Sequence, residues 1–295
     1  MKPAPFAYQR PTTQAAVLDL LARHGAQAKV LAGGQSLMPM LALRLVRPEL
    51  VIDLGGLEGA DRLAARDGQL EIGPLVRHQQ VVESALVRTE VPALAEAAGW
   101  IGHLEIRNRG TVLGSLAHAD PAAELPALAV ALGAQMICHS QAGERIVPAG
   151  EFFLGLFQTA LAEGEMLVSC LLPLGAVARA SAFTEFALRE GDFALAAVAA
   201  SLVTSPDGRV AEVRLAVAGM GPAPVTNETA QAQLVGQVPS PAVLREFADA
   251  VLSQAEPADD LRATASYRLK LASRLIVEAL GESISRNPKG GVSRA

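Results

Sequence analysis

Two glycine-bearing segments of this sequence contain the residues best suited to bind an anion. The first follows a short apolar run and reads Ala32, Gly33, Gly34, Gln35 and Ser36. Consecutive glycines allow neighbouring backbone N–H groups to turn towards one point and hold an anion without Lys or Arg. The Ser36 hydroxyl could donate a further hydrogen bond. A plain tight turn is the alternative interpretation, since the segment lacks the G-x-G-x-x-G dinucleotide fingerprint.

The second segment, residues 109–121, is long and rich in small residues, and it predicts a loop over residues 110–123. It supplies backbone N–H donors, the hydroxyls of Thr111 and Ser115, and the carboxylate of Asp120. Small residues let a flat or phosphorylated ligand approach the backbone closely. Taken alone, this segment could equally be a structural crossover between two elements.

The pattern of apolar residues divides the chain near residues 173–178. Before this boundary it predicts helices over residues 13–24, 77–88, 91–100 and 124–132, and strands over 29–32, 50–54, 69–73, 134–139, 145–147 and 165–172. After it, strands over 181–188, 195–204 and 210–218 precede helices over 226–235, 241–254 and 259–280. Turn residues from Ser205 to Gly208 predict a hairpin between the last two strands. Strands followed by helices favour an α+β fold.

Composition argues against several classes of protein. The 295 residues are 51% hydrophobic and 19% charged, which is typical of a globular chain. A net charge of −5 argues against nucleic-acid binding. Cys138 and Cys170 are too few for a disulfide framework or an iron–sulfur cluster, and we expect them to be buried. His78 and His103 lack metal-ligand spacing, so no metal site is predicted.

The sequence contains no apolar signal segment at its start and no apolar stretch long enough to span a bilayer. We therefore expect a cytoplasmic protein without a membrane span.

Four segments, taken in order and with their spacing, resemble the flavin subunits of molybdenum hydroxylases. This family includes the medium subunit of carbon monoxide dehydrogenase and the flavin domain of xanthine dehydrogenase. The segments are residues 6–11, 32–37, 107–115 and 189–194, and the resemblance extends over residues 3–280. Each segment is weak evidence alone, but the four together identify the chain as a member of the family.

The resemblance implies a fold and its division into domains. Residues 1–175 would form a two-lobed FAD-binding domain of the vanillyl-alcohol oxidase type, with the lobes divided near residues 55–60. Residues 176–284 would form a smaller domain of antiparallel sheet and helices. Residues 285–295, which are polar and contain Gly and Pro, are expected to be a flexible tail.

The resemblance also implies roles for individual residues. The FAD pyrophosphate would be held by backbone and hydroxyl groups of Ala32, Gly33, Gly34, Gln35, Ser36, Thr111, Gly114 and Ser115. Asp120 and Glu124 would bind ribose or ribityl hydroxyls, and Glu124 aligns with an acidic position of the family. Leu167 would pack near the flavin ring, with Asp192 and Phe193 beside the isoalloxazine. No side chain is assigned a catalytic role.

Two departures from the family pattern bear on this site. Leu113 replaces the first of two adjacent glycines, and a positive φ at that position would be strained. Either the residue has an ordinary φ or the segment is remodelled. Phe193 stands where the family has a tyrosine, so the phenol hydroxyl is absent and re-oxidation of the flavin could differ.

The implied function is transfer of electrons through FAD to an external acceptor. A large subunit would carry molybdopterin, and a small subunit would carry [2Fe–2S] clusters, in a dimer of heterotrimers. One alternative is a self-contained flavin dehydrogenase of the vanillyl-alcohol oxidase type, for which Asp192 would be the acid or base. Another is an interaction subunit that has lost its cofactor, which Leu113 would favour.

Overall fold

The computed structural model describes residues 2–287. Its first part is a three-stranded parallel sheet with two helices, in the order β1 (Ala7–Gln9), α1 (Gln14–His24), β2 (Ala28–Leu31), α2 (Leu37–Ala42) and β3 (Leu50–Asp53). Strand β3 lies between β1 and β2 and is parallel to both. Helix α1 buries Val17, Leu20 and Leu21 in a small core with residues of the sheet.

The second part is larger and contains a five-stranded antiparallel sheet. Its elements are β4 (Leu63–Arg66), β5 (Gln69–Ile72), α3 (His78–Glu83), α4 (Ala85–Glu90), α5 (Pro92–Trp100), α6 (Leu104–Arg107), α7 (Val112–His118), α8 (Glu124–Ala131), β6 (Gln135–Ser140), β7 (Gly143–Pro148), α9 (Ala149–Phe152), β8 (Phe153–Gly155), β9 (Gln158–Thr159) and β10 (Met166–Pro173). The sheet order is β4-β5-β10-β6-β7, and β8 and β9 form a separate pair. The main core lies between this sheet and its helices.

The third part consists of strands followed by helices, as the sequence predicted. Its elements are α10 (Ala176–Arg179), β11 (Ala182–Phe186), β12 (Ala196–Thr204), β13 (Val210–Ala218), α11 (Glu228–Leu234), α12 (Pro241–Leu252) and α13 (Ala265–Ser285). The antiparallel sheet β11-β12-β13 is buried on both faces. One face belongs to the main core, and the other packs on α12 and α13 in a separate core.

Several local predictions are confirmed. The hairpin of β12 and β13 turns at residues 205–208, where the Gly208 N–H donates to the Ser205 carbonyl at 2.9 Å. Both cysteines are buried and unpaired. The chain has the mixed helix-and-sheet character that was expected.

Two helix predictions were wrong in detail. The helix expected over residues 77–88 breaks at Ser84, because the Ser84 hydroxyl accepts the Val87 N–H and starts a new helix. The helix expected over residues 259–280 starts only at Ala265. Asp260 instead accepts two backbone N–H groups within the preceding loop.

Part of the expected tail is ordered. Helix α13 continues to Ser285, and the Asn287 side chain accepts the Thr204 N–H at 3.0 Å. The rest of that predicted tail, residues 288–295, lies outside the described residues. In the part of the chain that the structure describes, no helix is long and apolar enough to cross a membrane.

Candidate cofactor-binding site

The first glycine segment lies at the carboxyl end of β2. Gly34 has a φ of 74°, in the left-handed region that glycine tolerates, and this conformation turns the chain into α2. Within residues 2–287, the backbone N–H groups of Gly34, Gln35 and Ser36 donate to no protein acceptor. The Ser36 hydroxyl caps no N–H group of α2. Free hydrogen-bond donors are therefore concentrated at this turn.

The two glycine segments touch through their backbones. A Cβ atom at Gly33 would lie 2.4 Å from the Arg109 carbonyl oxygen and 2.7 Å from the Gly110 Cα. A Cβ atom at Gly110 would lie 2.6 Å from a ring carbon of His78. Backbone atoms cannot move aside as the end of a flexible side chain can. Close packing, rather than an unusual φ, therefore requires glycine at Gly33, against backbone atoms, and at Gly110, against the buried His78 ring.

Most of the second segment is a helix, so the prediction of a loop over residues 110–123 was wrong. Thr111 is buried and caps α7, because its hydroxyl accepts the Gly114 N–H at 3.1 Å. The Val112 N–H donates to the Val76 carbonyl at 3.0 Å and fixes the start of the helix. A Thr cap before apolar residues is a helix signal, which the many small residues of this segment obscured.

Leu113 is accommodated without strain. It lies in the first turn of α7, is 3% exposed and packs in the main core. It is not among the residues with positive φ. Leu113 thus has the ordinary φ of a helical residue, its apolar side chain fits the core, and it gives no sign of a lost site.

Positive charge surrounds the second segment, although the chain as a whole is acidic. The Arg77 guanidinium donates to the Arg109 carbonyl, and burial together with Arg109 lowers the pKa of Arg77. Burial, with smaller contributions from Arg77 and Arg107, lowers the pKa of His78 to about 4. His78 is therefore neutral near pH 7. This local positive field favours an anion beside the glycine segments.

Asp120 and Glu124 lie just after α7. Asp120 accepts the Ala122 N–H at 2.9 Å, and Glu124 is the first residue of α8. Glu124 is buried, and this burial, with a smaller effect of Asp120, raises the pKa of its carboxyl group. The two acids are thus near neighbours, and Glu124 is the one removed from water.

The remaining predicted residues lie on two other elements. Leu167, on β10, is 4% exposed and packs in the main core. Asp192 and Phe193 lie in the turn between β11 and β12, where Phe193 is 54% exposed. A Cβ atom at Gly191 would lie 2.7 Å from the His103 ring, so this turn rests against the chain that leads into the second segment.

Sequence reasoning missed two residues beside these elements. His78 was considered only as a metal ligand, whereas its ring packs against Gly110. Glu185 is a buried carboxyl in a strand whose only other polar residue is Thr184. The available signal was strand alternation, which places Glu185 on the same face as the buried Phe183.

Comparison with known protein families covers almost the whole chain. Residues 4–175 match the model of the FAD binding domain in molybdopterin dehydrogenase, and residues 181–283 match the CO dehydrogenase flavoprotein C-terminal domain. The chain belongs to this flavoprotein family. It is therefore an FAD-binding subunit of molybdenum-hydroxylase-type dehydrogenases, and the molybdenum and iron–sulfur cofactors belong to other subunits.

Individual relatives of the family are similar over their full length. Caffeine dehydrogenase subunit beta from a Pseudomonas species is 36% identical over 97% of each chain. The carbon monoxide dehydrogenase of Hydrogenophaga pseudoflava has a structure with a TM-score of 0.93 and 34% identity, covering 98% of this chain and 100% of that one. Quinoline 2-oxidoreductase from Pseudomonas putida 86 gives a TM-score of 0.91 and 34% identity, covering 97% and 99%.

The described residues fit FAD. Glycine at Gly33 lets the backbones of the two segments meet, and within residues 2–287 the adjacent turn presents N–H groups that have no protein acceptor. A diphosphate can be bound by such backbone donors, which complement its negative charge. A buried Glu124 carboxyl adds a hydrogen-bond acceptor of the kind that a sugar hydroxyl requires.

Proposed function

We propose that this chain receives electrons from [2Fe–2S] clusters of a small partner subunit and passes them through FAD to an external acceptor. The contact between Gly33 and Gly110 carries the proposal, because it joins two distant segments into one diphosphate site. The only cysteines, Cys138 and Cys170, are buried, and no cluster of metal ligands occurs within residues 2–287. Electrons from a metal centre would therefore have to come from another chain.

The chain's residues would bind and orient the cofactor. The segment from Ala32 to Ser36, with Thr111, Gly114 and Ser115, would hold the diphosphate. Asp120 and Glu124 would accept hydrogen bonds from sugar hydroxyls. Leu167, Asp192 and Phe193 would border the isoalloxazine. FAD, when bound, exchanges single electrons with metal clusters and electron pairs with other acceptors.

The proposed division of the chain follows its sheets. Residues 1–175 would be a two-lobed FAD-binding domain of the vanillyl-alcohol oxidase type, with the diphosphate between a parallel and an antiparallel sheet. Residues 176–284 would be a smaller C-terminal domain of antiparallel sheet and helices. The relatives named as medium chains support a complex with larger and smaller partner subunits. In our proposal these partners carry molybdopterin and [2Fe–2S] clusters, and the assembly is a dimer of heterotrimers in the cytoplasm.

The first test is a visible spectrum of the purified chain before and after addition of FAD, with the released cofactor identified by chromatography. We expect one FAD per chain, because the diphosphate site lies within this chain. A chain that stays colourless alone and when co-expressed with its partner subunits would contradict FAD binding.

The second test separates electron transfer from self-contained catalysis. The FAD-loaded chain is mixed anaerobically with caffeine, quinoline and carbon monoxide in turn, alone and after assembly with its partners. We expect no bleaching of the flavin by the isolated chain, because in our proposal a partner subunit oxidises the substrate. Bleaching without partners would favour a self-contained dehydrogenase and would contradict the proposal.

A further inference from the structure

Glu185 lies on the face of its sheet that packs in the main core, the same core to which the helix carrying Glu124 belongs. In the third sheet, Glu185 is in register with Ala197 of β12, which is in register with Ala218 of β13. Residues in register share a face of the sheet. Ala197 and Ala218 belong to the main core, which also contains most of α8. The side chain of Glu185 is therefore directed to the side of the sheet that packs on α8.

The loop before α8 is hydrogen-bonded to the residue that follows Ala218. The Gly219 N–H, one residue beyond Ala218, donates to the Pro121 carbonyl at 2.8 Å. Pro121 lies three residues before Glu124 at the start of α8. The two alanines leave room for the helix to approach the sheet closely. The start of α8 and Glu185 thus lie at the same end of the sheet and on the same side of it, and the negative charge of Glu124 contributes to the raised pKa of Glu185.

Glu185 is isolated from the rest of the protein's polar groups. It is 7% exposed, and within residues 2–287 both carboxyl oxygens are buried without a hydrogen-bond partner. Burial, followed by the effect of Glu124, raises its pKa. An ionised carboxylate in such a place would be costly, whereas a neutral carboxyl group is tolerated.

The charged groups on the surrounding elements have other partners. On α5, the Glu96 side chain accepts the Phe183 N–H and pairs with Arg286. On α13, Arg268 bonds to Asp260 and to the Leu195 carbonyl. The remaining acid of this region is Asp120, in the loop before α8, and it adds negative charge near Glu124. No described cation therefore neutralises the glutamate pair.

We propose that Glu124 and Glu185 share one proton, so that a neutral Glu185 positions the Glu124 carboxylate for a hydroxyl group of FAD. Two neighbouring buried carboxyl groups cannot both ionise readily, and one proton between them permits a short O–H···O⁻ bond. Glu185 donates this bond and Glu124 accepts it, which leaves the second Glu124 oxygen for the cofactor. Glu185 is a positioning residue, and the proposal rests on the proposed contact of Glu124 with FAD.

Infrared spectroscopy of the full chain at neutral pH tests the protonation directly and does not require FAD. The difference between the wild type and Glu185→Gln should contain the C=O band of one protonated carboxyl group, which moves on deuteration. The exposed Glu151 provides a matched control, because Glu151→Gln should remove only carboxylate bands. Loss of carboxylate bands in Glu185→Gln would show that Glu185 is ionised in the wild type and would overturn the proposal of a shared proton.

FAD titration then tests the positioning role. Glu185→Gln keeps a neutral donor, so its Kd for FAD should stay within about threefold of the wild type. Glu185→Leu removes the donor, and its Kd should rise about tenfold, the effect of one hydrogen bond. A Glu185→Leu chain that binds FAD as the wild type does would overturn the proposal, as would a large loss in Glu185→Gln.

The two proposals fail in different ways. A wild-type chain that shows the protonated carboxyl band but takes up no FAD would leave the proton pair intact and contradict the site. A chain that binds FAD without that band would contradict only the role of Glu185. If Glu185→Leu does not fold, the infrared result and Glu185→Gln still decide the question.

Discussion

The two glycine segments, which would hold the same diphosphate in the proposed site, are built in different ways. The first is an irregular turn, in which Gly34 adopts a positive φ and successive N–H groups remain unpaired. The second is a capped helix, in which Thr111 satisfies the Gly114 N–H and Leu113 fills the core. Glycine is thus required at position 33, where two backbones touch. It is not required at position 113, where the residue lies in a helix and its side chain fits the core.

The largest expected effect is at Gly33. In Gly33→Asp, the new side chain would overlap the backbone of Arg109 and Gly110 and would place a negative charge beside the diphosphate. We expect bound FAD to fall below about a tenth of the wild-type ratio of flavin to protein, a loss of more than about 1.4 kcal/mol under matched conditions. Absorbance of the purified variant measures this ratio.

Two further variants sharpen the contrast. Gly114→Ala would place its Cβ 2.6 Å from the Thr111 hydroxyl that caps α7, so we expect it to weaken this cap but, lacking a new charge, to lose less FAD than Gly33→Asp. Gly281→Ala, for which no atom lies near the new Cβ, controls for the substitution itself. Full FAD in Gly33→Asp would show that the two segments do not enclose the diphosphate.

The next effect concerns stability rather than binding. Leu113→Gly restores the glycine that the family pattern has here, but it removes a buried side chain and weakens α7. We expect a loss of about 3–6 kcal/mol in the free energy of unfolding, from the cavity and from glycine in a helix. Chemical denaturation measures this loss. Leu113→Ala should be more stable than Leu113→Gly by the part of the loss that comes from glycine in a helix. An unchanged stability would show that Leu113 does not hold the segment in the core.

A smaller effect should follow from His78, which supports Gly110. Its folded pKa of about 4 lies below the ordinary value of 6.5, so the folded state favours the neutral ring. The neutral ring contributes fully to the free energy of unfolding above pH 6.5. This contribution is lost as the pH falls towards 4, because the unfolded chain takes up the proton at a higher pH than the folded chain. We expect the free energy of unfolding to decrease by about 2–3 kcal/mol over this pH range through His78.

The His78→Gln variant isolates this contribution from those of the carboxyl groups. The difference in unfolding free energy between the wild type and the variant should decrease as the pH falls from 6.5 to 4. Urea denaturation at several pH values measures the difference. A constant difference would mean that His78 is not buried as a neutral ring behind the second segment.

Much of the fold could be predicted from the sequence because the signals are local. The hairpin at Ser205–Gly208 follows from turn residues, and strands before helices follow from the apolar pattern. The break at Ser84 and the start of α7 at Thr111 were missed. In both places a single hydroxyl cap outweighs the average propensity of the neighbouring residues. The positions of the site residues remain proposals.

The sequence by itself determined the family, the two glycine segments and the cofactor class, since motif order and spacing are properties of the chain. Only the tertiary structure decided why Gly33 must be glycine, since the obstructing atoms belong to Arg109 and Gly110. It also decided that Glu185 is a buried carboxyl group on the face of its sheet that packs in the main core. Contacts between residues far apart in the chain depend on packing, which no local pattern encodes.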